Sequence, residues 1–298
     1  MRVDPNYVAN LSQSISLASN TEQKLSGELS SGLRVSTLSD DAVAVSANVQ
    51  LTSSIGRLDS FVQSSSRQQS LLQVADSALS EVVSQVTSAL SLGVTAGNGT
   101  LSPANLSAIA QQLSGVRDNV LSIANSSYQG KYIFSGSQGD KKPFSLDEST
   151  TPASITYQGD ASVQNLETPD GQKLPMNVPG SNLFTAAGAD LLGALNQLVS
   201  DLKSGATGSV PADTAALGTA LSHLSNQRST LDSSLNRLTA TTGYAQTQES
   251  LLQVQQSQLL SVDRVKVITD LKTAETQHQA LLSVVASLSK LNLFDYLK

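Results

Sequence analysis

Side chains able to do chemistry are few in this sequence. Only two histidines occur, His223 and His278; a zinc-type site needs such residues joined by further histidines or carboxylates at ligand spacing, and neither has a second histidine at helical spacing. Each is expected on a helix surface or at the edge of an apolar seam. The chain has no cysteine, so disulfides and thiolate metal sites are ruled out. Gly130, Gly136 and Gly139 lie in a strand-rich linker, not in a strand-to-helix turn, and no Lys-Ser/Thr follows them, so nothing supports a phosphate cradle. Serine is so abundant that a serine near a histidine carries no nucleophile signal. Asn98-Gly-Thr100 and Asn125-Ser-Ser127 fit the glycosylation sequon, a match short enough to arise by chance in a Ser/Thr-rich chain. The reading is a protein that is not an enzyme, with no catalytic, cofactor-binding or metal residues.

Composition narrows the alternatives. Charged residues make up 14% of the 298 residues, well under the roughly 25% of ordinary soluble domains. Lys+Arg of 18 against Asp+Glu of 24 leave a net charge of -6, without the basic run that binding to consecutive phosphates requires, so no nucleic-acid partner is expected. No window reaches the ~18 unbroken apolar residues of a membrane span, so no membrane insertion is expected. The opening Met-Arg-Val-Asp-Pro-Asn lacks an apolar signal core, so export would proceed without a cleaved signal peptide.

What the sequence does contain is helical periodicity. Val8, Leu11, Ile15, Ala18, Glu22, Leu25 and Leu29 alternate steps of three and four, a heptad seam with one acid in it. Glu22 is either a tolerated, partly exposed residue or a polar group that fixes helix register. The segment after residue 42 repeats the rhythm through Leu51, Ile55, Leu58, Val62, Leu72, Leu79, Val82 and Val86 as far as the glycine-rich turn Ala96-Gly-Asn-Gly-Thr100. Ser102-Pro103 then supplies an N-cap with proline in the first turn. Leu191 to Leu202 and Leu217 to Leu238 carry two further seams. Arg228 lies on the second, either with its stem packed and its head in water or paired with an acid such as Glu22. Leu260, Val267, Ala274, Leu281 and Leu288, seven apart, make the last helix. Both chain ends thus carry seams with no local cover, and each is expected to pack on the other.

Two regions interrupt the helices. Between Leu29 and Ala42 lies a joint, where Gly32 is placed to end one helix in a left-handed cap and Ser39 to cap the next, with Asp40 and Asp41 in its first turn. From about Lys131 the β-rich runs Tyr132 to Phe134, Ile155 to Tyr157 and Val163 to Thr168 indicate a small sheet domain, with Pro169-Asp-Gly-Gln172 as a tight turn. Its ends lie near residues 137 and 185, and it reads as separable from the helices that carry it.

Leu29-Ser-Ser-Gly-Leu-Arg34 followed by Asp40-Asp41-Ala42 resembles the N-terminal signature of the bacterial flagellin family. Ser70-Leu-Leu-Gln-Val-Ala-Asp-Ser-Ala-Leu79 and Asn98-Gly-Thr100 are similar to the family's next helix and turn. Gly130-Lys-Tyr-Ile-Phe-Ser-Gly136, Asn177-Val-Pro-Gly-Ser-Asn-Leu-Phe184 and the ending Asn292-Leu-Phe-Asp-Tyr-Leu297 look like its hook–filament junction branch, not like filament flagellin. The resemblance implies a mainly α fold in which long heptad-patterned helices from both termini pack as a coiled-coil rod with a small inserted β domain. It divides the chain into residues 1–38 with 255–298 as an inner terminal coiled-coil domain, 39–136 with 186–254 as a helical rod domain, and 137–185 as the inserted β domain. It further implies a structural subunit between hook-associated protein 1 and the flagellin filament, assembled as a ring of copies outside the cell. Delivery would be by flagellar type III export, with a chaperone on the C-terminal helix. Val8, Leu11, Ile15, Leu25, Leu29, Arg34, Asp40, Asp41, Leu281, Leu288, Leu293, Phe294, Tyr296 and Leu297 are the expected assembly residues. The rival readings are a filament flagellin and a secreted coiled-coil binding or adhesion module.

Overall fold

The computed structural model describes the backbone of residues 5–295 and the side-chain surroundings of residues 9–287. Its elements in chain order are α1 (Pro5–Ser31), α2 (Ala42–Ala96), α3 (Pro103–Ala124), β1 (Ser127–Tyr128), β2 (Lys131–Tyr132), β3 (Phe144–Asp147), β4 (Ser154–Tyr157), β5 (Asn165–Glu167), β6 (Lys173–Pro175), α4 (Gly180–Phe184), α5 (Leu191–Ser204), α6 (Val210–Leu260) and α7 (Arg264–Asp295). Contacts divide the chain into two compact units. Residues 1–56 with 249–298 form the first and residues 57–248 the second, so α2 and α6 each contribute to both.

In the first unit α1 packs against α7, as the uncovered seams at the two chain ends require. Leu11, Ile15, Ala18, Glu22, Leu25 and Leu29 are the half-buried stripe of α1, and Val267, Leu271, Ala274, His278 and Leu281 the covered stripe of α7. Between α1 and α2 the chain runs extended beside the end of α6. The Arg34 N–H donates to the Leu260 carbonyl at 2.8 Å, the Val262 N–H to the Gly32 carbonyl at 3.0 Å, and Leu33 bridges Ser261 antiparallel. This pairing corrects the seven-residue repeat drawn through Leu260. That residue ends α6, because Ser261 and Val262 are drawn into the extended pair. Asp263 then starts α7 by accepting from the N–H groups of Val265 and Lys266 at 3.0 and 3.2 Å, the usual service of an aspartate N-cap.

The second unit is built from segments of α2, α3, α5 and α6 around one apolar core. Leu72, Leu79, Val82 and Val86 of α2, Leu113 and Val120 of α3, Leu191, Leu195, Leu198 and Leu202 of α5, and Leu217, Leu224, Leu231 and Leu238 of α6 are all buried. The predicted Ser102-Pro103 start signal holds, and a glycine ends α5. Ser102 accepts from the Asn105 N–H with Pro103 in the first turn, and Gly205 (φ +75°) closes α5 in the left-handed region, where a Cβ is costly. Of the two readings of Arg228 the structure shows the pair with an acid, and that acid is Asp76 of α2 at 2.6 Å, not Glu22.

The β region consists of three separate two-stranded antiparallel hairpins. The first, Ser127↔Tyr132 and Tyr128↔Lys131, turns through Gln129 (φ +51°) and Gly130 (φ +79°), two positive φ angles that match the right-handed twist of the flanking strands. The second pairs Phe144↔Tyr157 through Asp147↔Ser154. The third pairs Asn165↔Pro175 through Glu167↔Lys173 around the predicted Pro169-Asp-Gly-Gln172 turn, with Gly171 at φ +78°. They do not form an independent sheet. Phe134, Phe144, Leu174 and Met176 belong to the same buried cluster as Leu72, Leu79 and Leu195, so excising the insert would open the helical core. Two-stranded hairpins have little stability of their own, and here helices supply their cover. Polar anchors add to this. Arg117 of α3, buried, donates to Asn196 of α5 at 3.1 Å and to Glu148 beyond β3 at 3.0 Å, and Asn196 in turn donates to the Ala153 carbonyl before β4.

Candidate assembly surfaces

The joint between α1 and α2 is held by side chains of the expected types in different roles. The Gly32 N–H donates to the Glu28 carbonyl at 2.8 Å, and Gly32 has φ +72°. Asp41, not Ser39, caps α2: its Oδ1 accepts from the Ala44 N–H at 3.0 Å. An aspartate one residue before the helix both reaches that N–H and places negative charge at the positive helix end. The Ala44 N–H is the main reason the Asp41 carboxyl is held below the usual carboxylate range. Asp40 closes the preceding turn, accepting from the N–H groups of Thr37 and Ser36 at 2.9 and 3.1 Å and from both hydroxyls. Those bonds, Thr37's N–H first, hold its carboxyl far below the usual range. Arg34 reaches Asp41 at 3.4 Å and the Leu259 carbonyl at 3.3 Å, so it clamps the joint to the end of α6. Lys24 lies 3.5 Å from Asp40.

Of the expected assembly residues, Leu11, Ile15, Leu25, Leu29 and Leu281 are gathered along the facing stripes of α1 and α7, where the chain half-covers them itself. Arg34, Asp40 and Asp41 are brought together at the joint. Val8, Leu288, Leu293 and Phe294 lie in α1 and α7 with side chains outside the described residues, and Tyr296 and Leu297 lie outside them entirely.

Other residues in the first unit offer apolar surface to a partner. Among the described residues, twelve of fifteen exposed large apolar side chains belong to this unit, including Leu17, Leu38, Val43 (80% exposed), Val49, Leu251 and Val265 (77% exposed). These residues are candidates for a partner surface, since contiguous apolar patches mark such surfaces whereas scattered single exposures do not. The heptad reading missed them because it follows the seam, and these residues stand off it. The one signal was an apolar residue such as Val43 or Val265 out of phase with its neighbours. An open groove of about 470 Å³ also lies in this unit, lined by Ala47, Gln50, Leu51, Ser54, Gln255, Gln258 and Leu259.

In the second unit the segment before the insert and the last part of the insert dock on each other. Phe184 packs edge-on against Phe134 at 5.3 Å and Phe144 at 5.6 Å between ring centroids. The Gly180 N–H donates to the Phe134 carbonyl at 2.8 Å, and Asn177 Nδ2 to the Gly136 carbonyl at 3.3 Å. Gly180 is required there, since a Cβ would stand 2.8 Å from that carbonyl oxygen and from the Phe144 ring. Tyr157 completes the nest, donating to the Phe134 and Asp160 carbonyls at 3.0 and 2.8 Å. Burial pushes its hydroxyl up, with the nearby Asp160 charge adding to the shift.

The two histidines serve structure. His223 Nε2 contacts the Asn182 carbonyl at 2.8 Å, and His278 Nδ1 contacts Glu22 Oε2 at 2.8 Å. Among the described residues no group of three His, Asp or Glu side chains could hold a metal ion, and no helix is long and apolar enough to cross a membrane.

Residues 6–139 match the bacterial flagellin N-terminal helical region and residues 214–297 the bacterial flagellin C-terminal helical region. The chain is 26% identical to flagellar hook-associated protein 3 of Salmonella typhimurium over 291 residues, covering 91% of each chain. It is 27% identical to the flagellin of Bacillus subtilis over 304 residues, covering 96% of this chain and 95% of the relative. In three dimensions it is similar to the crystal structure of flagellar hook associated protein-3 from Legionella pneumophila, with a TM-score of 0.64 at 14% identity, over 70% of this chain and 98% of the other.

Proposed function

Because the chain belongs to the bacterial flagellin family, we propose that it is the structural subunit joining hook to filament, in the role for which its relatives are named hook-associated protein 3. The observation that carries this choice is the aromatic nest of Phe134, Phe144 and Phe184. Two of its three rings, Phe134 and Phe184, come from Gly130–Gly136 and Asn177–Phe184, the two internal segments in which the sequence looks like the junction branch, and β3 supplies Phe144. The proposed division of labour follows from the surfaces. The first unit, rich in exposed apolar residues, contacts hook-associated protein 1, flagellin and neighbouring copies in a ring, and the second unit carries the insert. The chain is exported to the extracellular flagellum, and a flagellar export chaperone covers the C-terminal helix until assembly.

The full-length match to Bacillus subtilis flagellin favours a second reading, a filament subunit. Electron microscopy of purified hooks ending in hook-associated protein 1, incubated with the protein, separates the readings. A thin terminal ring supports the junction role, filaments support flagellin, and bare hooks support the coiled-coil binding module.

A further inference from the structure

Asn98 is the only asparagine in the sequence that glycine follows. An asparagine in that setting can react with its own backbone, because glycine has no Cβ to keep the next amide nitrogen away from the side-chain Cγ. What holds the side-chain amide and the next N–H decides whether it does, and the structure holds them differently at each asparagine.

Most asparagines of the described backbone lie in helices or strands. There the chain cannot turn a residue back on its own side chain, and inside a helix the next N–H is already bonded to a carbonyl four residues earlier. Three lie outside: Asn98, Asn125 and Asn177. Asn125 is locked on every side. Its Oδ1 accepts from the Phe144 N–H at 2.9 Å, its Nδ2 donates to the Phe144 carbonyl at 3.1 Å, and the following N–H, of Ser126, donates to the Ile123 carbonyl at 2.9 Å. Asn177 Oδ1 accepts from the Gln164 N–H at 2.7 Å, and its Nδ2 donates to the Ser162 and Gly136 carbonyls at 3.1 and 3.3 Å. Asn98 has neither kind of restraint. Its side chain and the Gly99 N–H have no hydrogen-bond partner among the described residues, and both residues are exposed. The Asn98 N–H alone is engaged, with the Thr95 carbonyl at 3.4 Å. Gly99 has φ +67°, and a Cβ built on it would meet nothing within 4 Å, so the turn has room to change shape.

We propose that Asn98 is a site of spontaneous deamidation, and that the fold confines the reaction to this one turn. The Gly99 amide nitrogen gives up its proton and bonds to Asn98 Cγ, the Cγ–Nδ2 bond breaks, and ammonia leaves with that proton, closing a succinimide. One water then opens the ring. Breaking the new Cγ–N bond leaves aspartate, and breaking the bond from the Asn98 carbonyl carbon to that nitrogen leaves isoaspartate, with the chain running through Cγ. Either product carries a carboxylate at neutral pH. The new charge arises two residues past α2, at the carbonyl end of a helix, where it is unfavourable. It also lies beside a groove of about 490 Å³ whose lining includes Gly99 and the cationic Lys203.

The test incubates the full chain at mildly alkaline pH, folded and in urea. Peptide mass spectrometry locates each amide-to-acid exchange, and an isoaspartate-specific methyltransferase reports the rearranged backbone. In the folded chain residue 98 should convert with time to a mixture of isoaspartate and aspartate, with one ammonia released per converted site, while Asn125 and Asn177 keep their amides. Ser126→Gly places a second glycine after an asparagine and deletes a buried hydroxyl that has no partner. This variant should show the helical dichroism of the intact chain, keep the Asn125 amide when folded, and lose it as fast as that of Asn98 in urea. Retention of the Asn98 amide in the folded chain, or aspartate there with no isoaspartate, would overturn the proposal. So would conversion of Asn125 in the folded variant at the rate of Asn98.

Discussion

Replacing Phe184 by alanine is the perturbation that best separates a continuous core from a helical body carrying an independent insert. Phe184 is fully buried and meets two other rings edge-on. Truncating a buried phenylalanine costs about 3–5 kcal/mol, and each lost ring pair adds roughly 0.5–1.5 kcal/mol beyond area. The two estimates overlap, so a total of about 4–6 kcal/mol is expected, a large part of the roughly 5–15 kcal/mol that holds a domain together. With a urea m-value of about 2.5 kcal/mol/M, the midpoint should fall by about 2 M. Tyrosine near-ultraviolet dichroism follows the insert through Tyr157, and dichroism at about 222 nm follows the helices. Both transitions of the second unit should shift together. Phe184→Leu, which keeps most of the volume, should lose less than about 2 kcal/mol. A loss under about 1 kcal/mol, or a shift in the tyrosine signal with the helical signal unmoved, would refute the shared core.

Three further outcomes follow. Burial first, and then Asp201 beside it, push Asp213 up to about 6; a raised carboxyl stabilises the fold when protonated, so this contribution is lost as pH rises from about 4 through 6, and Asp213→Asn should gain about 1 kcal/mol at pH 8 after solvent screening and flatten that stretch of the stability–pH curve. Gln129→Asn, at φ +51° before Gly130, should raise the urea-derived stability by about 0.5–1 kcal/mol, because asparagine tolerates the left-handed region better than glutamine does. Deleting Asn292 to Lys298, where Leu293, Phe294, Tyr296 and Leu297 crowd together, should leave helical dichroism within error of the intact chain while abolishing rings on hooks and weakening chaperone binding; normal rings from the truncated chain would remove the tail from the assembly surface.

Much of this architecture was legible because it is local. A three-four rhythm marks a helix face wherever it occurs, and Gly32 and Ser102-Pro103 end or start helices through backbone and capping geometry confined to a few residues. That the two ends pair could be argued from uncovered seams alone. Partners far apart in sequence were not legible: Arg228 finds Asp76 across 152 positions, and nothing in either helix names the other. The insert misled because short β-rich runs look alike whether they join one sheet or lie as separate hairpins on helices, and only the burial of Phe144 and Leu174 in the helical core decides it. The expected assembly residues lie along the seam. Periodicity selects residues that the chain covers itself, while Val43 and Val265, which it leaves bare, fall out of phase.

The most direct test of the junction role is the amount of protein bound per hook as its concentration rises. Hooks bearing hook-associated protein 1 are incubated with increasing amounts of the labelled chain, washed and counted, and flagellin is then added. The account predicts a plateau at a fixed small number of copies per hook, independent of further protein, and filament growth from the saturated ends only. Binding that climbs without limit as the chain extends from the hook, or flagellin growth indifferent to its presence, would contradict it.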